Sequence, residues 1–228
     1  MTWMKRIFAC SEMRVRVEDA RRSPPAVSRG ETQSKLRRFS GLRRISVLAI
    51  LLGSVVTARA ATLPDGMWAA KPGTFKLTYH LVHPLHHVDG VSTVAEGMAK
   101  ITPQGVQVEA RAPVKSFVSG SANRDSNMQT VVDEAKYPYV LFKGVGPVCQ
   151  LVNGSCNIVL QGQVTFHGVT KPYSVPVVVQ HVTGNQFDIS FSFAISLEGH
   201  QIKRPSLLLM PIEDRMVVDG QAVMELAK

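Results

Sequence analysis

Between Phe187 and Leu197 the chain alternates. Phe187, Ile189, Phe191, Phe193, Ile195 and Leu197 fall on one side of an extended backbone, with Asp188, Ser190, Ser192, Ala194, Ser196 and Glu198 on the other. A helix would scatter these apolar residues around its axis, whereas a strand gives them one dry face. The same period of two runs through Phe75, Leu77, Tyr79 and Leu81 and through Val106, Val108 and Ala110. Residues 91–101, 139–145, 158–166, 173–182 and 215–226 read as further strands, separated by turn signals such as Pro103-Gln104-Gly105 and Gly184-Asn185. About eight alternating strands predict an all-β sandwich or barrel, antiparallel throughout. One segment departs from the pattern. Met128, Val131, Val132 and Ala135 recur at helical spacing between Asn123 and Tyr137, and Pro138 stops them, which predicts a short helical insertion.

Charge is unevenly placed. The 228 residues carry 26 Lys and Arg against 17 Asp and Glu, a formal charge of +9. Residues 1–60 hold 13 of the basic and 4 of the acidic groups, leaving 13 of each for residues 61–228. A neutral remainder argues against nucleic acid as a partner. Residues 36–60 read as a signal peptide: basic residues through Arg43-Arg44, an apolar run from Ile45 to Thr57, then Ala58-Arg59-Ala60 before Ala61. That run is shorter than the roughly 20 residues a membrane-spanning helix needs. Cleavage after Ala60 is expected, with no stable membrane span afterwards and a periplasmic or secreted location. An uncleaved anchor and a twin-arginine export signal are the alternatives. Residues 1–35, with Cys10, lie upstream of the usual extent of such a signal and are expected to be a disordered leader of doubtful start. Residues 62–228 form one predicted domain.

Cys149 and Cys156 flank Asn153-Gly154, a pair of residues favoured in tight hairpins. In an oxidising compartment, cysteines on facing arms of one hairpin are expected to form a disulfide. A redox pair would more commonly be Cys-x-x-Cys, and a metal pair would want further Cys or His nearby in sequence; two free thiols are the remaining alternative. His80, His83, His86 and His87 are locally dense, which raises metal binding or pH sensing, but Pro84 breaks the run and no nearby acid or Cys completes a familiar ligand set. A solvated loop is the plainer expectation. No Gly-x-Ser-x-Gly elbow, phosphate-binding Gly-rich loop or dinucleotide fingerprint is present, so neither an enzyme nor a cofactor is expected.

Two ordered blocks carry a family resemblance. Ser116 to Gly120 with Asn123-Arg124-Asp125, then Lys136-Tyr137-Pro138-Tyr139-Val140-Leu141-Phe142, is similar to the central block of the YceI-like family of exported lipid-binding proteins. Gly162 to Pro172 resembles its second block, a strand leading into a Gly-x-Thr-Lys-Pro turn, and His80 and Gly90 resemble its first-strand His and the Gly that follows. The resemblance spans about Gly73 to Leu226. It implies an eight-stranded antiparallel lipocalin-like barrel with a short helical insertion, holding an amphiphilic or isoprenoid lipid. Val131-Val132-Asp133-Glu134 and Ser206-Leu207-Leu208 depart from the family's usual residues, which bears on ligand identity.

On this reading the lipid-binding stripe is Phe75, Leu77, Tyr79, Phe142, Val164, Phe166, Phe187, Ile189, Phe191 and Phe193. His80, Arg124 and Asp125 are expected at the pocket mouth. The plainer expectation for Arg124 and Asp125 is a structural pair that anchors the insertion, with Asn123 and Asp125 accepting backbone N–H groups at the helix start and Arg124 able to pair with a carboxylate. A barrel filled by its own side chains, acting as a protein-binding envelope module, is the remaining alternative. An eight-stranded barrel is just wide enough for either outcome.

Overall fold

The computed structural model describes residues 61–207 and 209–227. The expected leader, signal peptide and Cys10 lie outside these residues, as does Leu208.

Strand β1 runs as Gly66–Ala70 and, past a break, as Lys76–His83; β2 returns as His86–Ser92 and Glu96–Thr102. Then follow β3 (Gly105–Pro113), β4 (Tyr139–Gly146), β5 (Cys156–Phe166), β6 (Val169–Gln180), β7 (Gln186–Ser196) and β8 (Arg215–Leu226). Each strand pairs antiparallel with the next. β8 then pairs back onto β1 through Val217↔His80 and Met224↔Ala70. The result is an eight-stranded barrel whose hydrogen-bonded ring closes within residues 66–226, so this part of the chain carries its own fold.

The first hairpin is longer than its alternation suggested. His83 pairs with His86 across the two-residue turn Pro84–Leu85, so the His-rich segment is the end of a β-ladder rather than a loop. Proline is tolerated there because a turn needs no ladder N–H from it. Farther down, β1 carries a surplus against β2: Ala69 still pairs with Met98 and Leu77 with Ser92. The extra residues form a bulge, tied to β8 by Lys71 N–H donating to Val223 O at 2.8 Å.

One end of the barrel, here called upper, carries the Pro84–Leu85 turn, the β3–β4 connection (114–138), the His167–Gly168 turn and the β7–β8 connection (197–214). The β5–β6 turn places both His167 (φ 49°) and Gly168 (φ 72°) in the left-handed region, as a type I′ hairpin requires. In the upper connection, helix α1 spans Ala122–Val131. It stops short of the predicted segment's end because Asp133 turns left-handed at φ 50° and its carbonyl accepts from Lys136 and Tyr137 N–H.

The lower end is plugged. Trp68, 0% exposed, packs on Phe187 with ring centroids 4.7 Å apart and donates from Nε1 to Pro64 O at 3.1 Å. Leu63, Val179 and Cys149 belong to the same core cluster. The Asn153-Gly154 hairpin forms as expected, with both residues left-handed, and Cys149 and Cys156 are joined in a disulfide with Cα atoms 5.9 Å apart.

The ladder has one weak stretch. β6 and β7 pair from Val177↔Phe191 to Gln180↔Asp188, and above that their edges part. Pro172 and Pro176 lie in the parted half of β6 and have no N–H to offer. The turn Glu198–His200 fills the gap.

Candidate functional site

The barrel encloses a cavity of about 490 Å³, within the range of roughly 300–1,000 Å³ found for small-molecule sites. All ten residues of the predicted stripe line it. Alternation explains this directly, since period-2 residues on each strand share the inner face. Sequence reasoning missed other liners, among them Met98, Ala110, Val177, Met216 and Val218. Each sits in the same alternating register, so the signal was present; only their smaller or flexible side chains kept them off an aromatic-weighted list.

The interior stays open for two reasons. First, β7 and β3 stand across the ring from each other, and the phenylalanines of β7 face small residues, Val108, Ala110 and Ala112, with Gly97 and Ala99 beside them on β2. Second, several rings lie flat on glycines. Phe191 pairs with Gly220, where a Cβ would stand 2.5 Å from ring atoms Cε1 and Cε2. Tyr79 covers Gly90 in the same way, its hydroxyl 2.5 Å from such a Cβ. Phe142 rests over Gly162 and Gly144, at 2.6 Å and 2.7 Å. Rings laid along the wall supply apolar surface without occupying the middle.

The upper rim is where polar groups meet the cavity. Arg124, Asn127, Met128 and Val131 of α1 line it at helical spacing, facing His83, His86, Pro205, Ser206 and Ile212. Arg124 grips the preceding loop: its Nη2 donates to Ser119 O at 2.9 Å and its Nε to Ser119 Oγ at 3.3 Å. This replaces the expected carboxylate pairing. Asp125 holds the same residue from the other side, accepting from Ser119 N–H at 2.9 Å and Ser119 Oγ at 2.6 Å. The two neighbours thus fix the helix start, and Arg124 lines the mouth while Asp125 does not. Burial raises the pKa of Tyr79 in the wall below, with the Asp125 charge adding to it.

His80 is not at the mouth. Tyr79 and Leu81 line the cavity, so the residue between them faces outward. Its Nδ1 lies 2.7 Å from Asp89 Oδ1 and its Nε2 3.0 Å from Asp219 Oδ2, across β2 and β8. Two carboxylate partners favour the imidazolium, and its pKa is raised, chiefly by the Asp89 hydrogen bond.

His83 points inward instead. It is buried, accepts from Leu85 N–H at Nδ1 (3.2 Å), and donates from Nε2 to Met210 O (3.0 Å). Its ring lies 4.9 Å from that of His86. His83 and His86 face inward while His80 faces outward, and no group of three or more His, Cys, Asp or Glu placed to hold a metal ion is found among the described residues.

A fifth histidine went unnoticed in the sequence. His200, 0% exposed, sits in the gap between β6 and β7. Its Nδ1 donates to Val169 O at 3.0 Å, and its Nε2 accepts from Tyr173 OH at 3.1 Å while the two rings stack. Burial lowers its pKa. Nothing in a Leu-Glu-Gly-His-Gln sequence distinguishes such a histidine from an exposed one, because its burial depends on where two strands part.

Known proteins agree with this architecture. A polyisoprenoid-binding domain from Saccharophagus degradans superposes with a TM-score of 0.60 at 14% identity, covering 70% of this chain and 98% of that one. Burkholderia cenocepacia BcnA gives 0.57 at 16%, covering 68% and 98%. The Campylobacter jejuni YCEI protein gives 0.50 at 15%, covering 62% and 86%. At these identities the likeness concerns the fold. Among curated protein sequences there is no significant match. The model of the YceI-like domain matches residues 68–224, from the tryptophan of the lower plug to Met224 near the end of β8, and the chain belongs to the YceI-like family.

Proposed function

We propose that this protein holds an amphiphilic or polyisoprenoid lipid in its barrel, without catalysis, as a carrier, store or sequestering protein of the cell envelope. One observation carries the reading: a cavity of about 490 Å³ walled by aromatic and aliphatic side chains, plugged below and meeting polar groups only near its upper rim. The polyisoprenoid-binding description of the Saccharophagus degradans neighbour supports it. An apolar tail would lie along the Phe187–Phe193 face, its head group at the rim formed by Arg124, Asn127 and Ser206.

The energetics permit binding over a wide range of affinity. Burying a five-carbon isoprene unit contributes about 4 kcal/mol at about 0.8 kcal/mol per carbon. Association costs about 4–15 kcal/mol, so four units, at about 16 kcal/mol, leave a net of about 1–12 kcal/mol. The signal-like residues 36–60 and the Cys149–Cys156 disulfide support an exported location.

The test is gentle purification from cells that export the protein, followed by organic extraction and mass spectrometry. A stoichiometric apolar lipid is the expected result. Lipid-free protein that also fails to bind a fluorescent prenyl probe would overturn the reading.

A further inference from the structure

The cavity opens at one end. Among the described residues that line it, the exposed ones are His86, Arg124, Asn127, Pro205 and Ser206, and all belong to the upper rim. At the other end Leu63, Ile101, Val106, Val179, Phe187 and Met224 line it, and all are buried. A tail that enters from above meets a closed floor.

Part of that floor comes from outside the ring of eight strands. Leu63 sits in the strap of residues 61–65, which leads into β1, and the strap is fastened on both sides of it. Before it, Ala61 and Thr62 pair antiparallel with Leu151 and Gln150, on the hairpin closed by the Cys149–Cys156 disulfide. The Leu63 N–H itself donates to Cys149 O at 3.4 Å. After it, Pro64 O accepts from Trp68 Nε1 at 3.1 Å. Trp68 also backs Phe187, another floor residue. To let a longer tail through, the strap would have to leave the hairpin, giving up backbone bonds and the burial of Leu63 together.

The enclosed volume then sets a length. An apolar carbon with its hydrogens fills about the 30 Å³ that a water molecule takes in the liquid, so a cavity of about 490 Å³ holds about 16 of them. Three isoprene units fit below the rim, and a fourth reaches out of it.

We propose that Leu63 and Phe187 form the stop of a length gauge, which favours lipids with a tail of three isoprene units over shorter ones and gives no advantage to longer ones. The inference rests on the lipid-holding reading and adds a limit to it. Each carbon added up to the stop leaves water for an apolar wall, whereas carbons beyond it stay at the rim and gain nothing.

The test is a series of prenyl diphosphates with two, three, four and five isoprene units, soluble and identical in head group, titrated into the purified protein by calorimetry. Affinity is expected to rise about tenfold or more from two units to three, and by less than about threefold from three to five. Leu63→Ala takes three carbons out of the floor and should carry the rise on to the fourth unit, by about tenfold. Val106→Phe adds four carbons at the floor and should erase the gain from two units to three. Where Leu63→Ala fails to fold, Val106→Phe and the parent series still decide. Affinity that climbs about tenfold with every unit through the fifth, or either folded variant showing the parent's profile, overturns the length gauge and leaves the lipid-holding reading standing. A protein that binds none of the four diphosphates, and no fluorescent prenyl probe, sinks that reading and the gauge with it.

Discussion

Gly220→Ala tests how the lumen is kept open. The new methyl would stand 2.5 Å from Cε1 and Cε2 of Phe191. The ring's Cζ would be nearer still, and carbon atoms settle about 3.5–4.0 Å apart, so the ring must withdraw by about 1.5–2 Å. The wall blocks it on one side, and the only free direction is into the cavity. Overpacking a full core costs about 1–3 kcal/mol. Here the cavity absorbs the displaced ring, and alanine itself is better than glycine inside regular structure by about 0.5–1 kcal/mol. The net loss of stability should therefore be about 1 kcal/mol or less, a change of a few degrees in melting temperature. Ligand suffers more, because the ring now occupies its place. Affinity for a fluorescent prenyl probe, measured by titration, should fall about tenfold, equivalent to about 1.4 kcal/mol. Phe191→Leu in the same background should restore most of it by trimming the intruding ring. Unchanged affinity together with an unchanged melting temperature would show that Phe191 does not rest on Gly220, and the account of an open lumen would fail.

Removing the disulfide by Cys149→Ser with Cys156→Ser should cost about 2.5 kcal/mol in urea unfolding, the loop-closure value for eight residues; a loss under about 0.5 kcal/mol would mean the hairpin is equally constrained without it. The raised pKa of His80 means that its ion pairs stabilise the fold fully below about pH 6.5, its unfolded value, and that this contribution fades as pH rises through the folded pKa. Asp89→Asn should flatten that part of the stability–pH curve, and an unaltered curve would remove His80 from the explanation. His200 acts with the opposite sign: its depressed pKa gives stability that is present above about pH 6.5 and lost as pH falls through the folded pKa. His200→Gln should remove this acid sensitivity, measured by thermal unfolding in mildly acidic buffers, and an equally steep acid loss in the variant would refute the assignment.

The barrel was legible because its code is local. Phe187 through Ile195 declare their inner face by alternation alone, and the structure puts Phe187, Ile189, Phe191 and Phe193 on the cavity wall as expected. The first hairpin was harder to see. His83, His86 and His87 look like loop residues beside Pro84, yet they complete a ladder whose buried member is satisfied by Met210, more than a hundred residues away in sequence. Alternation also carried the correction for His80, since a residue between Tyr79 and Leu81 cannot share their face. Asp125 accepts a backbone N–H, as expected of a helix-start residue, whereas Arg124 meets Ser119 in place of a carboxylate. A motif shows that two charged residues matter together, whereas the choice of Ser119 as their common target depends on how the connection folds back. The glycines beneath the rings are legible only in pairs, because Gly220 means nothing until it is set opposite Phe191.

The parting of β6 from β7 gives the barrel an adjustable circumference. Elsewhere neighbouring strands are stitched by backbone ladders that resist stretching, but along this line the wall is held by the side chains of His200 and Tyr173. Such a seam can widen or tighten by rotating two side chains, with the rest of the ring unbroken. If the barrel holds an apolar tail as proposed, such a seam would suit tails of different girth, and amide exchange should be fastest along the upper halves of β6 and β7, where the hoop has its clasp.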